Sequence, residues 1–414
     1  MRRVLLTLLL IFCGVHGRAS SGLYLFLWAG DADHKESDFL GVIDADPMSP
    51  HYGAILASIP TGTAGAEPHH TEHEMAANAH LLANGFHAGR TWLFDLTQPL
   101  RPRILTSFGD VDGYSHPHTF VRLANGHVLT TFQYRAGSGA VLHASGHQAM
   151  PNAAIHSIGG LVEMDERGRP FRSGNADDPA IQDRRIHPYS VLPVPALNRA
   201  LSTMTDMDHA DTSQTSEWIQ FWRLSDLRLL RSMALPPGPR GNENQLTGEP
   251  RLLPDGQSVY IHTFKCGLYL LRGVDRPEPT VSLVKSFESN DCGVPILTDH
   301  YWLQTVSEMH ALVALDITNP ERPREVSRVI VGDDELPHWI AIDATGRRVV
   351  MNSGGYSKGN RLFLVNFDPS TGRLSFDERF RDTYGMRPGI NLTGKKWPHG
   401  FAGTAAPHGT VFSR

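Results

Sequence analysis

Three cysteines in 414 residues are too few to staple a chain of this size, which excludes a disulfide-built scaffold. Cys13 lies in an N-terminal leader-like segment, leaving Cys266 and Cys292. An oxidising compartment would permit these two to pair; two separate buried thiols are the alternative. Long apolar runs are missing too. The run Val4–Phe12 is far short of the ~20 residues that cross a bilayer, and no second run approaches that length. Basic runs are absent and the net charge is -5, which removes the cationic face that nucleic-acid binding requires. No extended 3.6-residue periodicity follows the leader, so a helical bundle is excluded. Neither a phosphate-binding loop nor an HExxH zinc motif occurs.

What is present begins with MRRVLLTLLLIFCGVHGRAS: two arginines, an apolar run, then small residues. That is the layout of a secretory signal, with cleavage expected after Gly17 or Ala19. Residues 1–19 then form the signal and 20–414 one mature domain, exported to a periplasm or the cell exterior and free of the membrane after cleavage. Hydrophobic residues make up 40% of the chain and charged residues 20%, enough apolar material for a large core.

Short β-rich runs dominate the mature chain, punctuated by Gly, Pro, Asn and Asp. Two distant stretches nearly coincide: DLTQPLRPR from Asp95 and DITNPERPR from Asp316. Each joins two apolar strands through a turn with Asp and Pro chemistry. The same plan recurs at Asp44, Asp165, Asp226, Asp275 and Asp368, making seven hairpins. Between them a proline, often beside histidine, opens another strand: Pro68, Pro117, Pro188, Pro250, Pro295, Pro337 and Pro398, also seven and about 55 residues apart on average. Seven units of four strands predict an all-β, seven-bladed β-propeller. The final proline-led strand has no later hairpin, so it should complete a blade begun by the N-terminal strands. A tandem of β-sandwiches, the alternative, requires no sevenfold match.

The innermost strands of a propeller line its central channel, so residues beside these prolines converge there. His69, His70, His118, His187, His338 and His399 all sit at the proline marks, with Glu249 in another sector. The stretch EPHHTEHE, residues 67–74, is the densest. Neutral imidazoles suit copper, zinc or iron. A His-rich, thiolate-poor set in an exported protein points to copper, with iron or zinc behind it. Glu72, Glu74 and Glu249 are expected to orient the rings. His408 has no special spacing and is expected on the surface or in a loop; His127 and His262 are expected to be structural. Trp218, Trp222, Trp302 and Trp339 are expected to pack between blades, and Ala136–Ser157 is long enough to cover the channel.

Several of these stretches resemble the selenium-binding protein / methanethiol oxidase family. They are PHHTEHE with its paired His69 and His70, HPHTFVRLANGHVLTT with His118, SEMHALVALDITNPERP with His310, PHWIAIDATGRRVVMNSGGYS, and the Trp397–Pro398 pair. The likeness runs from about Ile59 to Gly400. It implies a seven-bladed propeller and a bacterial periplasmic copper enzyme that oxidises methanethiol to formaldehyde, hydrogen sulfide and hydrogen peroxide. It adds His310 to the candidate ligands. Where the family carries a cysteine just after the paired histidine this chain has EHEMAANAH, which leaves no thiol there for selenium. The family's tail histidine is out of register, with His399 and His408 nearby. Two other classes stay open: a non-catalytic propeller whose rim loops bind a protein partner, and a metal-dependent hydrolase, which would call for an acidic channel instead.

Overall fold

In six of the seven hairpins, those at Asp44, Asp95, Asp165, Asp226, Asp316 and Asp368, the aspartate carboxylate accepts a backbone N–H of its own turn. Asp95 Oδ1 accepts the Thr97 backbone N–H at 3.0 Å, Asp316 that of Thr318 at 2.9 Å, and Asp368 that of Ser370 at 2.9 Å. Such local bonds fix the turn before any tertiary contact forms. They hold the Asp95 carboxyl down at about 2, chiefly through Thr97. Every one of these turns joins the third and fourth strands of a blade.

The structure, a computed structural model, describes residues 22–137, 157–181, 186–207, 216–354 and 359–414. The expected signal segment, and nearly all of the stretch expected to cover the channel, lie outside the described residues. Seven antiparallel sheets are arranged as the blades of a propeller. Blade 1 runs from the axis outward through Pro68–Thr71, His80–Gly85, Arg90–Asp95 and Arg103–Phe108. The innermost strands of blades 2 to 6 are Tyr114–Arg122, Pro188–Val194, Thr247–Leu252, Cys292–Leu297 and Pro337–Ile342. Blade 7 takes its innermost strand, Ala405–Phe412, from the C-terminus and the other three, Tyr24–Asp31, Ser37–Asp44 and Ile55–Ala64, from the N-terminus. The ring thus closes by pairing the two ends of the chain, Leu27 opposite Thr410 and Leu25 opposite Phe412. The helical elements among the described residues are two 3₁₀ turns, Pro195–Leu197 and Ser307–Met309.

A single four-stranded sheet has two faces and no core. Here each face packs on its neighbour, and every junction between successive blades has its own apolar cluster. Trp28 of blade 7 meets Trp92 and Phe94 of blade 1 at 5.5 and 5.7 Å between ring centroids. Trp28, Trp222, Trp302 and Trp339 are fully buried, and each indole N–H finds an acceptor: Asn84 O, Ser202 Oγ, Gln304 Oε1 and Thr410 O. Trp218 is only half-buried. An eighth cluster, Phe86, Tyr134, Tyr189, Met207 and Phe264, lies among residues of different blades around the axis. Cys266, in the turn after Thr263, is joined by a disulfide to Cys292, the first residue of blade 5's innermost strand.

Candidate metal centre

Neighbouring residues of a regular strand point to opposite faces, so His69 and His70 should not both reach the axis. A β-bulge resolves this. Pro68 pairs with Gly85 but Thr71 with Ala83, so the inner strand spends one residue more than its partner. The two rings stack 4.6 Å apart at an interplanar angle of 6°. Every innermost strand carries such an irregularity at the same level. The bulges contain His118–Thr119 in blade 2, Tyr189–Ser190 in blade 3, Gly248–Glu249 in blade 4, Gly293–Val294 in blade 5, His338 in blade 6 and His408–Gly409 in blade 7. Histidine therefore fills the first bulge position in four blades, while glycine takes it in blades 4 and 5. A Cβ at Gly248 would lie 2.2 Å from the His262 ring, and one at Gly293 2.2 Å from His338 O.

Two triads result, His69–His70–His118 and His70–His338–His408, with ligand atoms within 4.8 Å of one another in each and His70 common to both. His69 and His408 centroids are 4.1 Å apart, His70 and His118 4.3 Å, His338 and His408 4.9 Å. His69, His70, His118 and His408 are at most 2% exposed; His338 is half-buried. Burial drives His69 and His70 well below the ordinary histidine range, and the neighbouring imidazoles push the same way. Burial also lowers His118 to about 4. All three are neutral at pH 7, with lone pairs available to a cation.

The surroundings fix which atoms face inward. His118 Nδ1 lies 2.9 Å from Tyr189 O; a carbonyl only accepts, so Nδ1 carries the hydrogen and Nε2 the lone pair. The Tyr189 hydroxyl lies 3.1 Å from His70 Nε2, which leaves Nδ1 toward the cluster. Asn84 holds the first bulge to the next blade: its Oδ1 accepts the His70 backbone N–H at 2.7 Å and its Nδ2 donates to Pro117 O at 2.8 Å. Both ring nitrogens of His69, His70 Nδ1 and His118 Nε2 are buried with no hydrogen-bond partner among the described residues. An unsatisfied buried polar atom costs about 1–3 kcal/mol, so several together fit a cation-binding cradle better than a packed core. The donors are imidazole nitrogens, which suits copper, zinc or iron and not calcium.

The other expected residues are not members of these triads. His310 ends the 3₁₀ turn Ser307–Met309 at φ 50° and its Nδ1 donates to Glu335 O at 2.8 Å, bracing blade 5 against blade 6. His399 packs on Phe39 at 4.8 Å, with Nδ1 2.6 Å from Ser58 Oγ, over the outer strands of blade 7. Neither joins a triad. The closing strand is marked by Pro407, nine residues after Pro398, so His408 occupies the place expected of His399. His187 binds Gln133 O at 3.1 Å and stands 3.6 Å from Asp206. Glu72 faces Arg122 at 2.6 Å and the Leu82 backbone N–H at 2.9 Å, not an imidazole of the cluster. Glu74 is exposed. Glu249 is 1% exposed and bonds Ser190 Oγ and Arg251. His262, expected to be structural, accepts the Glu249 backbone N–H on Nδ1 at 2.8 Å.

Fold and site together define a seven-bladed propeller with imidazoles gathered at its axis. No family model matches the chain. It is 31% identical over 349 residues to a methanethiol oxidase of Hyphomicrobium sp, covering 79% of this chain and 74% of that protein. The chain belongs to the selenium-binding protein / methanethiol oxidase family. Among solved structures, a hypothetical selenium-binding protein of Sulfolobus tokodaii superposes with a TM-score of 0.71 at 17% identity over 94% of this chain and 93% of that one. The periplasmic gluconolactonase of Pseudomonas aeruginosa gives 0.58 at 13% identity over 95% and 99%. These two likenesses concern the fold alone.

Proposed function

We propose that this protein is an exported, copper-dependent oxidase of small thiols, methanethiol among them. The observation that carries the reading is the pair of imidazole triads sharing His70, one fully buried and the other with His338 half-buried; the methanethiol oxidase relative supplies the substrate class. His70, His69 and His118, with His338 and His408 on the other side, would hold the ion. Iron or zinc fits the same donors less well. Bound copper would supply one-electron transfer between the thiol sulfur and dioxygen.

The chain's own residues prepare that chemistry. Tyr189 sets two rings at once, its carbonyl holding the His118 tautomer and its hydroxyl the orientation of His70. Phe86 packs against His69 at 6.0 Å, Trp339 against His70 at 5.0 Å and Phe264 against His338 at 6.0 Å, an apolar wall that limits water. Export is supported by the N-terminal segment and by the Cys266–Cys292 disulfide, which is at home in an oxidising compartment. The test is elemental analysis of mature protein followed by methanethiol-dependent oxygen uptake. Stoichiometric copper with uptake is expected. Protein that binds no copper when it is supplied, or binds it and consumes no oxygen with methanethiol, contradicts the reading.

A further inference from the structure

We propose that Glu249 is the base that takes the proton of the thiol, an inference that rests on the thiol-oxidase reading. Blade 4 places Gly248–Glu249 in its bulge where blade 1 places His69–His70, so the axis receives one carboxylate at the level of the imidazoles. That carboxylate is 1% exposed, and its two oxygens are in different states. Oε2 accepts from Ser190 Oγ at 2.8 Å and from Arg251 Nη1 at 2.7 Å, with His73 Nε2 at 3.7 Å. Oε1 is buried with no hydrogen-bond partner among the described residues. Glu72 differs: both its oxygens are engaged by Arg122 and one also by the Leu82 N–H. A carboxylate needed only to anchor rings would have no reason to keep one buried oxygen unbonded.

Its surroundings tie this carboxylate to the cluster. Ser190 follows Tyr189, whose ring lies 4.2 Å from His118. His73 stacks on Trp339 at 4.8 Å, and Trp339 meets His70 at 5.0 Å. Among the described residues, the charged and titratable groups facing Glu249 include Arg251 from the same strand, His73 from the segment after blade 1's inner strand, His262 from the next strand and His118 from blade 2. The Arg251 guanidinium and His73 keep the carboxyl ionised although burial opposes it. His262 accepts on Nδ1, so its hydrogen sits on Nε2, which is also buried without a partner. Glu249 Oε1 thus offers an acceptor and His262 Nε2–H a donor. In the step proposed, the thiol S–H bond breaks, its electron pair stays on sulfur, and the proton goes to Oε1. A thiolate and a neutral Glu249 carboxyl result, and no oxidant is needed.

The test compares wild-type protein with Glu249→Gln and Glu249→Asp, all copper-loaded and assayed for copper content first. Glu249→Gln is expected to keep its copper and lose about 10²–10⁴-fold in methanethiol-dependent oxygen uptake at neutral pH. Its residual rate should climb with pH as solution supplies thiolate. Glu249→Asp should recover part of the loss. Independently of turnover, anaerobic thiol binding to wild type should raise a carboxylic-acid carbonyl band in difference infrared spectra, absent from Glu249→Gln. Uptake by Glu249→Gln within about threefold of wild type, loss of its copper, or no such band in wild type overturns the role of Glu249 and leaves the oxidase reading intact. Absence of uptake by copper-loaded wild type overturns the oxidase reading and this role with it.

Discussion

Lowering the pH from 7 to 5 should destabilise the metal-free protein, and the structure gives the sign and size. His116, His118 and His262 are buried, and burial lowers them to about 4, 4 and 3. In the unfolded chain each returns to the ordinary value near 6.5. Between those values the unfolded state holds the extra proton, so the stability is complete above 6.5 and drains away as pH falls toward the folded value. At pH 5 each group has lost about 2 kcal/mol, roughly 6 kcal/mol for the three. His69 and His70 shift in the same direction and add to the loss. Asp38 works the other way. Burial raises it to about 7, so the folded state is the one that gains a proton in this window, which returns about 2 kcal/mol. Glu72 and Glu335, also raised by burial, act with Asp38. The net loss over the four groups with stated values is about 4 kcal/mol, a large part of a typical folding free energy. Chemical denaturation of chelator-treated protein at pH 7, 6 and 5 measures it directly. Bound metal should flatten the dependence, because protons and metal compete for the same lone pairs. A denaturation midpoint that stays level or rises from pH 7 to pH 5 in the metal-free protein would refute the buried, neutral state assigned to these imidazoles.

Two further outcomes follow from single contacts. Tyr189→Phe removes the hydroxyl that orients His70 and should weaken copper binding about 10–100-fold with little change in folding, read by competition with a chelator of known affinity; unchanged affinity would show that the ring needs no such support. Cys266→Ser opens a bridge between residues 26 apart and should cost about 3 kcal/mol of stability, seen as a lower denaturation midpoint that reductant no longer shifts.

Much of the ring was legible in the sequence because its most repeated feature is local. An aspartate that caps its own turn, as Asp95 and Asp316 do, needs no distant partner, so the hairpins could be counted from residue types. The axis was harder, because a bulge is a property of two strands. No rule of spacing shows that Pro68 and Thr71 skip a residue against Gly85 and Ala83, and without that skip His69 and His70 would face apart. Glu249 was visible beside Pro250, although Pro250 and Pro295 stand after their bulges while Pro68, Pro117 and Pro188 stand before theirs. The C-terminus posed a different problem. Pro-His-Gly occurs twice, at Pro398 and at Pro407. Only the second leads directly into a β-branched, apolar run, Thr410–Phe412, able to pair with the N-terminal strand. That run was the available signal for His408, and choosing the first copy put His399 in its place. His310 came from the family resemblance, and its position in the turn between the second and third strands of blade 5 reflects backbone geometry at φ 50° that residue type alone does not reveal.

The convergence of imidazoles from blades 1, 2, 6 and 7 on the axis is tested most directly by copper stoichiometry in three proteins: wild type, His70→Ala and His399→Ala. Wild type and His399→Ala should retain copper through dialysis, while His70→Ala, which removes the ring common to both triads, should lose it yet fold normally. Full copper retention by His70→Ala, or loss of copper from His399→Ala with its fold intact, would contradict the placement of the metal at the axis.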